Sequence, residues 1–282
     1  MIDHGAAFAS EPNFQNLMEL GTFSVIAFDP AGRLRGDNKL EATEELQIIS
    51  HAILGDGQPA SLQACLDPSL SATLEPLPET NAHVLTRLPV GTIALDSITE
   101  LDDIDWVLLD DRNDNHTILE HGVSALEKAL LVHARLPFFK THHRQTDITD
   151  VFGWMANHGF QCYRLDNAAH RSRLDQGLEL EKTQATQLVG MDAVFVPTEQ
   201  RLSALPACKL TKLAFLLDTI YGIHDLAHDL LNRFDSNLAN SYLSARSYIS
   251  RYNEEPDTFV LTAEYSPAPW EHGHTPAAGK MV

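Results

Sequence analysis

Apolar positions along the chain first fall into short runs separated by polar turns, then change to a helical spacing. The runs at residues 1–3, 23–28, 46–53, 106–109, 130–136, 160–165 and 193–196 are rich in strand-forming residues and bounded by Gly, Pro or Asp, so each predicts a strand. Weaker runs at 61–66 and 84–88 predict an antiparallel pair. Between these lie helical patterns. Phe14, Leu17, Met18 and Leu20 give a short helix closed by Gly21; Ile118, Leu119, Val123 and Leu126 share a face of a helix over 117–128; Ile148, Val151, Phe152 and Met155 do so over 147–157, before Gly159. Strands alternating with helices predict an α/β fold, a mainly parallel sheet covered on both faces. The binding crevice of such a sheet lies beyond the carboxyl ends of its strands.

From residue 205 the pattern is helical. Leu213, Leu216, Leu217, Ile220, Leu226, Leu230 and Leu231 recur at three- and four-residue spacing within a pattern running from 210 to 234, and a second helix is expected over 237–252. The tail 266–282 holds Pro267, Pro269 and Pro276 and predicts no regular structure. The expected organisation is an α/β domain at 1–204, a helical extension at 205–265 and the tail. The leucine stripe would be a liability if exposed, so it packs on the sheet domain or on a second copy of the chain.

Composition narrows the function. Of 282 residues, 44% are hydrophobic and 21% charged, which excludes a disordered chain. The formal net charge of −19 suits neither a phosphate backbone nor an anionic bilayer. Cys65, Cys162 and Cys208 form no metal-spaced pair and no disulfide framework, which points to a reducing, cytoplasmic setting. No apolar run has the ~18 residues a membrane span needs, and the first residues lack the basic and apolar regions of a signal peptide. His224 and His228 stand four apart, but Asp225 replaces the glutamate of H-E-x-x-H, and no metal site is expected.

The acidic residues are placed informatively. Asp3, Asp29, Asp96 and Asp110 each lie at or just after the end of an apolar run. In a parallel sheet such positions share one rim, where an acid ending the second strand can accept hydrogen bonds from two ribose hydroxyls. Gly5 lets the backbone approach a ligand closely. A dinucleotide fingerprint is excluded, because G-x-G-x-x-G is absent.

On these residues the chain resembles the FkbM-type S-adenosylmethionine-dependent methyltransferases over most of its length. Ile2-Asp3-His4-Gly5-Ala6 is similar to the family's D-V-G-A motif. Pro12-Asn13-Phe14-Gln15 and the residues to Gly21 are similar to P-P-Y-x-x-L-L-x-x-G, and Val25 to Pro30 to V-V-G-F-E-P. His51 to Gly57 resembles H-A-I-G-D-G, Ser71 to Pro76 resembles S-S-S-L-L-E-P, and Leu95-Asp96-Ser97-Ile98 resembles L-D-D-I. The run from Asp102 to Asp110 resembles D-F-L-K-I-D. The resemblance implies a Rossmann-like class I methyltransferase fold with seven strands, the last run antiparallel near one edge. It implies a cofactor pocket bounded by Asp3, Gly5, Asp29, Ala52, Ile53 and Asp96. The acceptor would be a hydroxyl of a small molecule or glycan, with Asp110 and the pair His142 and His143 as candidate catalytic groups. The family's K-I-D-V-Q/E-G-A-E reads Leu108-Leu109-Asp110-Asp111-Arg112-Asn113-Asp114-Asn115 here, with only the aspartate kept. The family's glycine would permit close backbone approach or a positive φ, which Asn113 mimics only partly, and Arg112 puts a cation near a sulfonium, so weak or absent transfer is expected. The alternatives are a catalytically degenerate chain acting as a binding or scaffold partner, and an unrelated Rossmann-like enzyme with a nucleotide ligand.

Overall fold

The computed structural model describes residues 1–11, 14–37, 40, 43–80, 82–98, 103–172 and 185–246. Pro12, Asn13, Asp102, the expected helix beyond residue 246 and the tail lie outside them.

Among the described residues ten strands form two sheets. The larger has the order β3-β2-β1-β7-β8-β10-β9, where β1 is Ile2–His4, β2 Val25–Phe28, β3 Leu46–Ile49, β7 Trp106–Leu109, β8 Leu131–Pro137, β9 Phe160–Arg171 and β10 Gln187–Pro197. Strands β3, β2, β1, β7 and β8 pair in parallel, and β10 runs antiparallel to both β8 and β9. This is the expected seven-stranded, mostly parallel α/β sheet, with the expected strand reversed. The smaller sheet, β4-β6-β5, is inserted between β3 and β7 and comprises β4 Ala52–Leu54, β5 Ala60–Cys65 and β6 Val84–Ile93. The apolar run 46–53 is therefore two strands in different sheets. A polar corner at Ser50-His51 interrupts it, and β4 pairs with β6 instead of extending β3.

Helices cover both faces. On one, α2 (Asn115–Glu120), α3 (Val123–Glu127) and α4 (Ile148–Asn157) bury Ile118, Leu119, Leu126, Val151, Trp154 and Met155 against Val107, Leu109, Val132, Ala134 and Phe195. The helix expected over 117–128 is broken at His121-Gly122, where a Cβ on residue 122 would come within 2.9 Å of Leu95. On the other face, α1 (Phe14–Met18) covers β2 and β3, and α6 (Ala207–Tyr221), α7 (His224–Asn232) and α8 (Ser236–Ala245) follow the short α5 (Glu199–Leu202).

The leucine stripe is buried on the chain's own sheet. Leu210, Leu213, Leu216 and Leu217 pack with Trp106, Leu131, Val194 and Val196 in one core. Lys209 and Lys212 fix the start of α6 beneath β7 through Asp103 and Asp105 at 2.6–2.8 Å. The single pattern read over 210–234 is two helices, because Gly222 adopts φ +60° and caps α6 just after Tyr221. His224 is bound to Asp218, which also takes the Tyr242 hydroxyl, so this histidine ties three helices together. Among the described residues no helix is long and apolar enough to cross a membrane, and no group of three metal-ligating side chains occurs.

Candidate functional site

Strand order brings Asp3, Asp29 and Asp110 to the carboxyl ends of three neighbours, β1, β2 and β7. All three are buried. Each is held by the loop that follows it. Asp3 accepts the amides of Ala7 (3.1 Å) and Ala9 (2.8 Å), and burial pushes its carboxyl from an ordinary 3.8 up to about 6. Asp29 accepts the amides of Arg33 (2.8 Å) and Leu34 (2.9 Å), one on each oxygen. Asp110 accepts the Arg112 amide (2.6 Å) and the Asn113 side-chain amide (3.0 Å) on Oδ1, and its Oδ2 lies 3.5 Å from Arg33 Nη2.

The rim is tight. Gly5 has φ +89°, and a Cβ there would stand 2.7 Å from Asp110 Oδ2. His4 is fully buried, and neither of its ring nitrogens finds a hydrogen-bond partner among the described residues. Burial lowers its pKa from 6.5 to about 4, so the imidazole is neutral.

The run after Asp110 wraps around that aspartate. Asn113 keeps an ordinary backbone, since the left-handed non-glycine residues described are Ala6, Arg144 and Asn167. Asn113 joins the Thr73 hydroxyl (2.8 Å) to Asp110, and Asn115 donates to the Asp110 carbonyl (2.7 Å). Gln145 donates to the Asp111 carbonyl and accepts the Thr141 amide, which clamps the loop carrying His142 against this turn.

The remaining sequence-derived site residues separate. His142 is buried, with Nδ1 2.9 Å from the Thr141 hydroxyl and Nε2 without a partner among the described residues; burial, then Arg112, lowers its pKa. His143 is exposed and holds the Glu75 carbonyl through its backbone amide. Ala52 and Ile53 lie in β4, and the Ile53 side chain packs into the core of the smaller sheet with Leu62 and Val90. Asp96 is exposed and follows β6, a strand of the smaller sheet, so the expectation that it shares the rim is corrected. Its carboxylate accepts the amides of Ser124 and Ala125 at the start of α3.

A cleft of about 1190 Å³ opens beside the rim, over β7, β8, β10 and β9. Asp110, Arg112 and His142 line one end, and Ala7 and Phe8 of the loop after β1 line another; Asp3, Gly5, Asp29, Ala52, Ile53 and Asp96 do not line it. Its floor carries groups that the sequence reading passed over. Asp192 of β10 accepts from Arg135 Nε (3.1 Å) and Asn167 Nδ2 (2.8 Å), and lies 3.6 Å from His133 Nε2. The other ring nitrogen of His133 is 3.1 Å from the Tyr221 hydroxyl. Burial would raise the Asp192 carboxyl, but the His133 and Asn167 hydrogen bonds and the Arg135 charge hold it well below the usual carboxylate range. Burial pushes the Tyr221 phenol well above its ordinary value.

A sequence signal for this cluster existed. His133 and Arg135 alternate with Val132, Ala134 and Leu136, and Asp192 interrupts an apolar run. Period-two polar positions inside a strand flanked by covered strands mark a face that no helix covers. Here α6 covers that face only as far as Tyr221.

No family model matches the chain, and no curated protein matches it. Among solved structures, it is similar to a protein of Thermoplasma acidophilum assigned as a methyltransferase, with 9% identity, 70% of this chain and 66% of that chain covered and a TM-score of 0.37. It is also similar to a Streptococcus pneumoniae protein assigned as a tRNA methyltransferase, with 14% identity, 86% and 91% covered and a TM-score of 0.36. The chain thus spans just under two thirds of the first protein's length. Likeness at this level carries no argument about chemistry, and the reading of the site rests on the strand order and the residues above.

Proposed function

We propose that the chain is an S-adenosylmethionine-dependent methyltransferase of the FkbM-like kind, acting on a hydroxyl of a small molecule or glycan. The observation that carries this reading is the convergence of Asp3, Asp29 and Asp110 on three adjacent strand ends around Gly5. The donor chemistry fits the cofactor. Three carboxylates suit a ligand bearing a sulfonium, an ammonium and two ribose hydroxyls. At ~6 Å and an effective dielectric near 20, one carboxylate attracts one such cation by roughly 3 kcal/mol before screening. Each Asp29 oxygen takes one backbone amide and keeps a second lone pair for a ribose hydroxyl. The ring nitrogens of His4 and Nε2 of His142 are buried polar atoms of this region that the described residues leave unsatisfied.

Bound S-adenosylmethionine would supply an electrophilic methyl group. The chain's own residues would do the rest: Asp29 would hold the ribose, Asp3 would fix the loop after β1, and Asp110 would orient the reacting end. His142, whose Nε2 has no partner among the described residues, borders that end, whereas His143 faces solvent. Arg33 is the group that must give way, because its guanidinium reaches across to Asp110. That contact favours a second reading, a chain that keeps the fold and binds a partner without transferring a methyl group. The run Asp111 to Asn115 favours it too, since its side chains are engaged in building the turn.

Calorimetric titration with S-adenosylhomocysteine tests the first reading. Binding is expected, and Asp29→Ala should weaken it by about 1.5–3 kcal/mol, the worth of hydrogen bonds to a charged acceptor. Equal affinity in that variant would remove Asp29 from the site. Binding without transfer to any hydroxyl acceptor would establish the second reading.

A further inference from the structure

The cleft over β8, β10 and β9 has a chemistry of its own. Tyr221, His133 and Asp192 form a line from its wall into the sheet, with separations of 3.1 and 3.6 Å. They come from three elements, α6, β8 and β10, and the glycine cap at residue 222 fixes the last turn that carries Tyr221. The ring nitrogen beside a carboxylate carries the proton, which leaves Nδ1 of His133 to accept the Tyr221 O–H. Tyr221 lines the cleft, so its oxygen can also meet a ligand. Arg135 flanks Asp192, while Arg164 donates to the Tyr221 carbonyl and pairs with Asp166. These are the charged groups that face the line from β8 and β9.

The wall beside Tyr221 is aromatic. Phe8 meets Trp106 edge-on at 4.8 Å, and Trp106 meets Tyr221 at 5.9 Å. Phe139 also lines the cleft, with the Arg171 guanidinium 3.7 Å over its ring. Such walls favour a flat ring packed edge-on or stacked.

We propose that this array seats a phenol and takes the proton from its hydroxyl, so that the acceptor of the methyl group is an aromatic alcohol. The proposal rests on the methyltransferase reading for its purpose, though not for its chemistry. The ligand O–H bond breaks toward Tyr221 Oη as the Tyr221 O–H bond breaks toward His133 Nδ1. The imidazolium so formed is held by Asp192, and the electron pair left on the ligand oxygen is what methyl transfer requires. His133 pairs with Leu108, two residues before Asp110, which puts the array ~7 Å along the strand from the rim.

4-Nitrophenol tests this without a cofactor, because its absorption distinguishes phenol from phenolate. Mixed with the full chain below its own pKa, it should bind and ionise. Tyr221→Phe and Asp192→Asn should each lower the bound phenolate-to-phenol ratio about tenfold, the equivalent of one pKa unit. A bound phenol that stays neutral, no binding at all, the same ratio in Tyr221→Phe, or displacement by a methyl glycoside at equal concentration would each overturn it. Tyr221→Phe removes one oxygen and keeps the ring, and circular dichroism confirms its fold. Should S-adenosylhomocysteine fail to bind while nitrophenol ionises, methyl transfer falls and the proton-taking array stands.

Discussion

The two halves of the large sheet handle buried charge in opposite ways. At the β2-β1-β7 rim Asp3 and Asp29 are met by backbone amides of their own loops, and Asp110 by one such amide together with the side chains of Asn113 and Arg33. Over β8, β10 and β9 the buried aspartate is met by side chains from other strands, and the surface stays open as a cleft. Backbone donors fix a loop in place, whereas side-chain donors can turn toward a ligand. The rim is therefore suited to hold a group of fixed shape, and the cleft to exchange protons.

Substitutions can break this contrast. The largest effect is expected at Gly5. Alanine there must adopt φ near +89° and place Cβ 2.7 Å from Asp110 Oδ2, so strain and overpacking together should cost about 3 kcal/mol or more. Chemical denaturation of Gly5→Ala measures it, and a loss under about 1 kcal/mol would mean that the rim has slack.

A comparable effect is hidden by cancellation. The Asp3 pKa is raised in the fold, so its contribution is fully present below 3.8 and is lost as pH rises to about 6. The His4 pKa is lowered, so its contribution is present above 6.5 and is lost as pH falls to about 4. Each amounts to about 3 kcal/mol, and across the shared window they oppose. The wild type should show nearly level stability from these two groups between pH 4 and 6. His4→Leu should expose the Asp3 dependence, with stability falling as pH rises through that window. A variant that parallels the wild type would show that the two do not offset each other.

In the cleft, Asp192→Ala leaves Asn167 and His133 without their acceptor. Arg135 is 44% exposed and recovers water, so the loss should be about 2 kcal/mol. The smallest effect is expected for Arg33→Ala, whose guanidinium stands 3.5 Å from Asp110 Oδ2 at the rim. Freed of that cation, the site should bind S-adenosylhomocysteine a few-fold more tightly, roughly 1 kcal/mol. Weaker binding in that variant would make Arg33 part of the binding surface.

Much of the fold was legible in the sequence because burial on both faces leaves an uninterrupted apolar run. The strands at 106–109 and 193–196 and their place in one sheet follow from that pattern. The break between β3 and β4 was not legible, since the run stays apolar while hydrogen bonding passes to another sheet. The break at Gly222 was likewise hidden by leucines that continue in phase on both sides. At the site, Asp3, Asp29 and Asp110 could be placed from strand ends alone. Asp96 could not, because the sequence does not say which sheet the strand before it joins. The Tyr221–His133–Asp192 line escaped because its members lie far apart in chain order, Tyr221 88 residues after His133, and meet only through strand pairing and a helix end.

Where a ligand of the rim binds is best read by hydrogen exchange of the full chain with and without S-adenosylhomocysteine. Slowed exchange is expected at the amides of Ala7, Ala9, Arg33 and Leu34, which the Asp3 and Asp29 carboxylates hold. Protection confined to β9 and β10, with those four amides unchanged, would contradict the assignment of the cofactor to the aspartate rim.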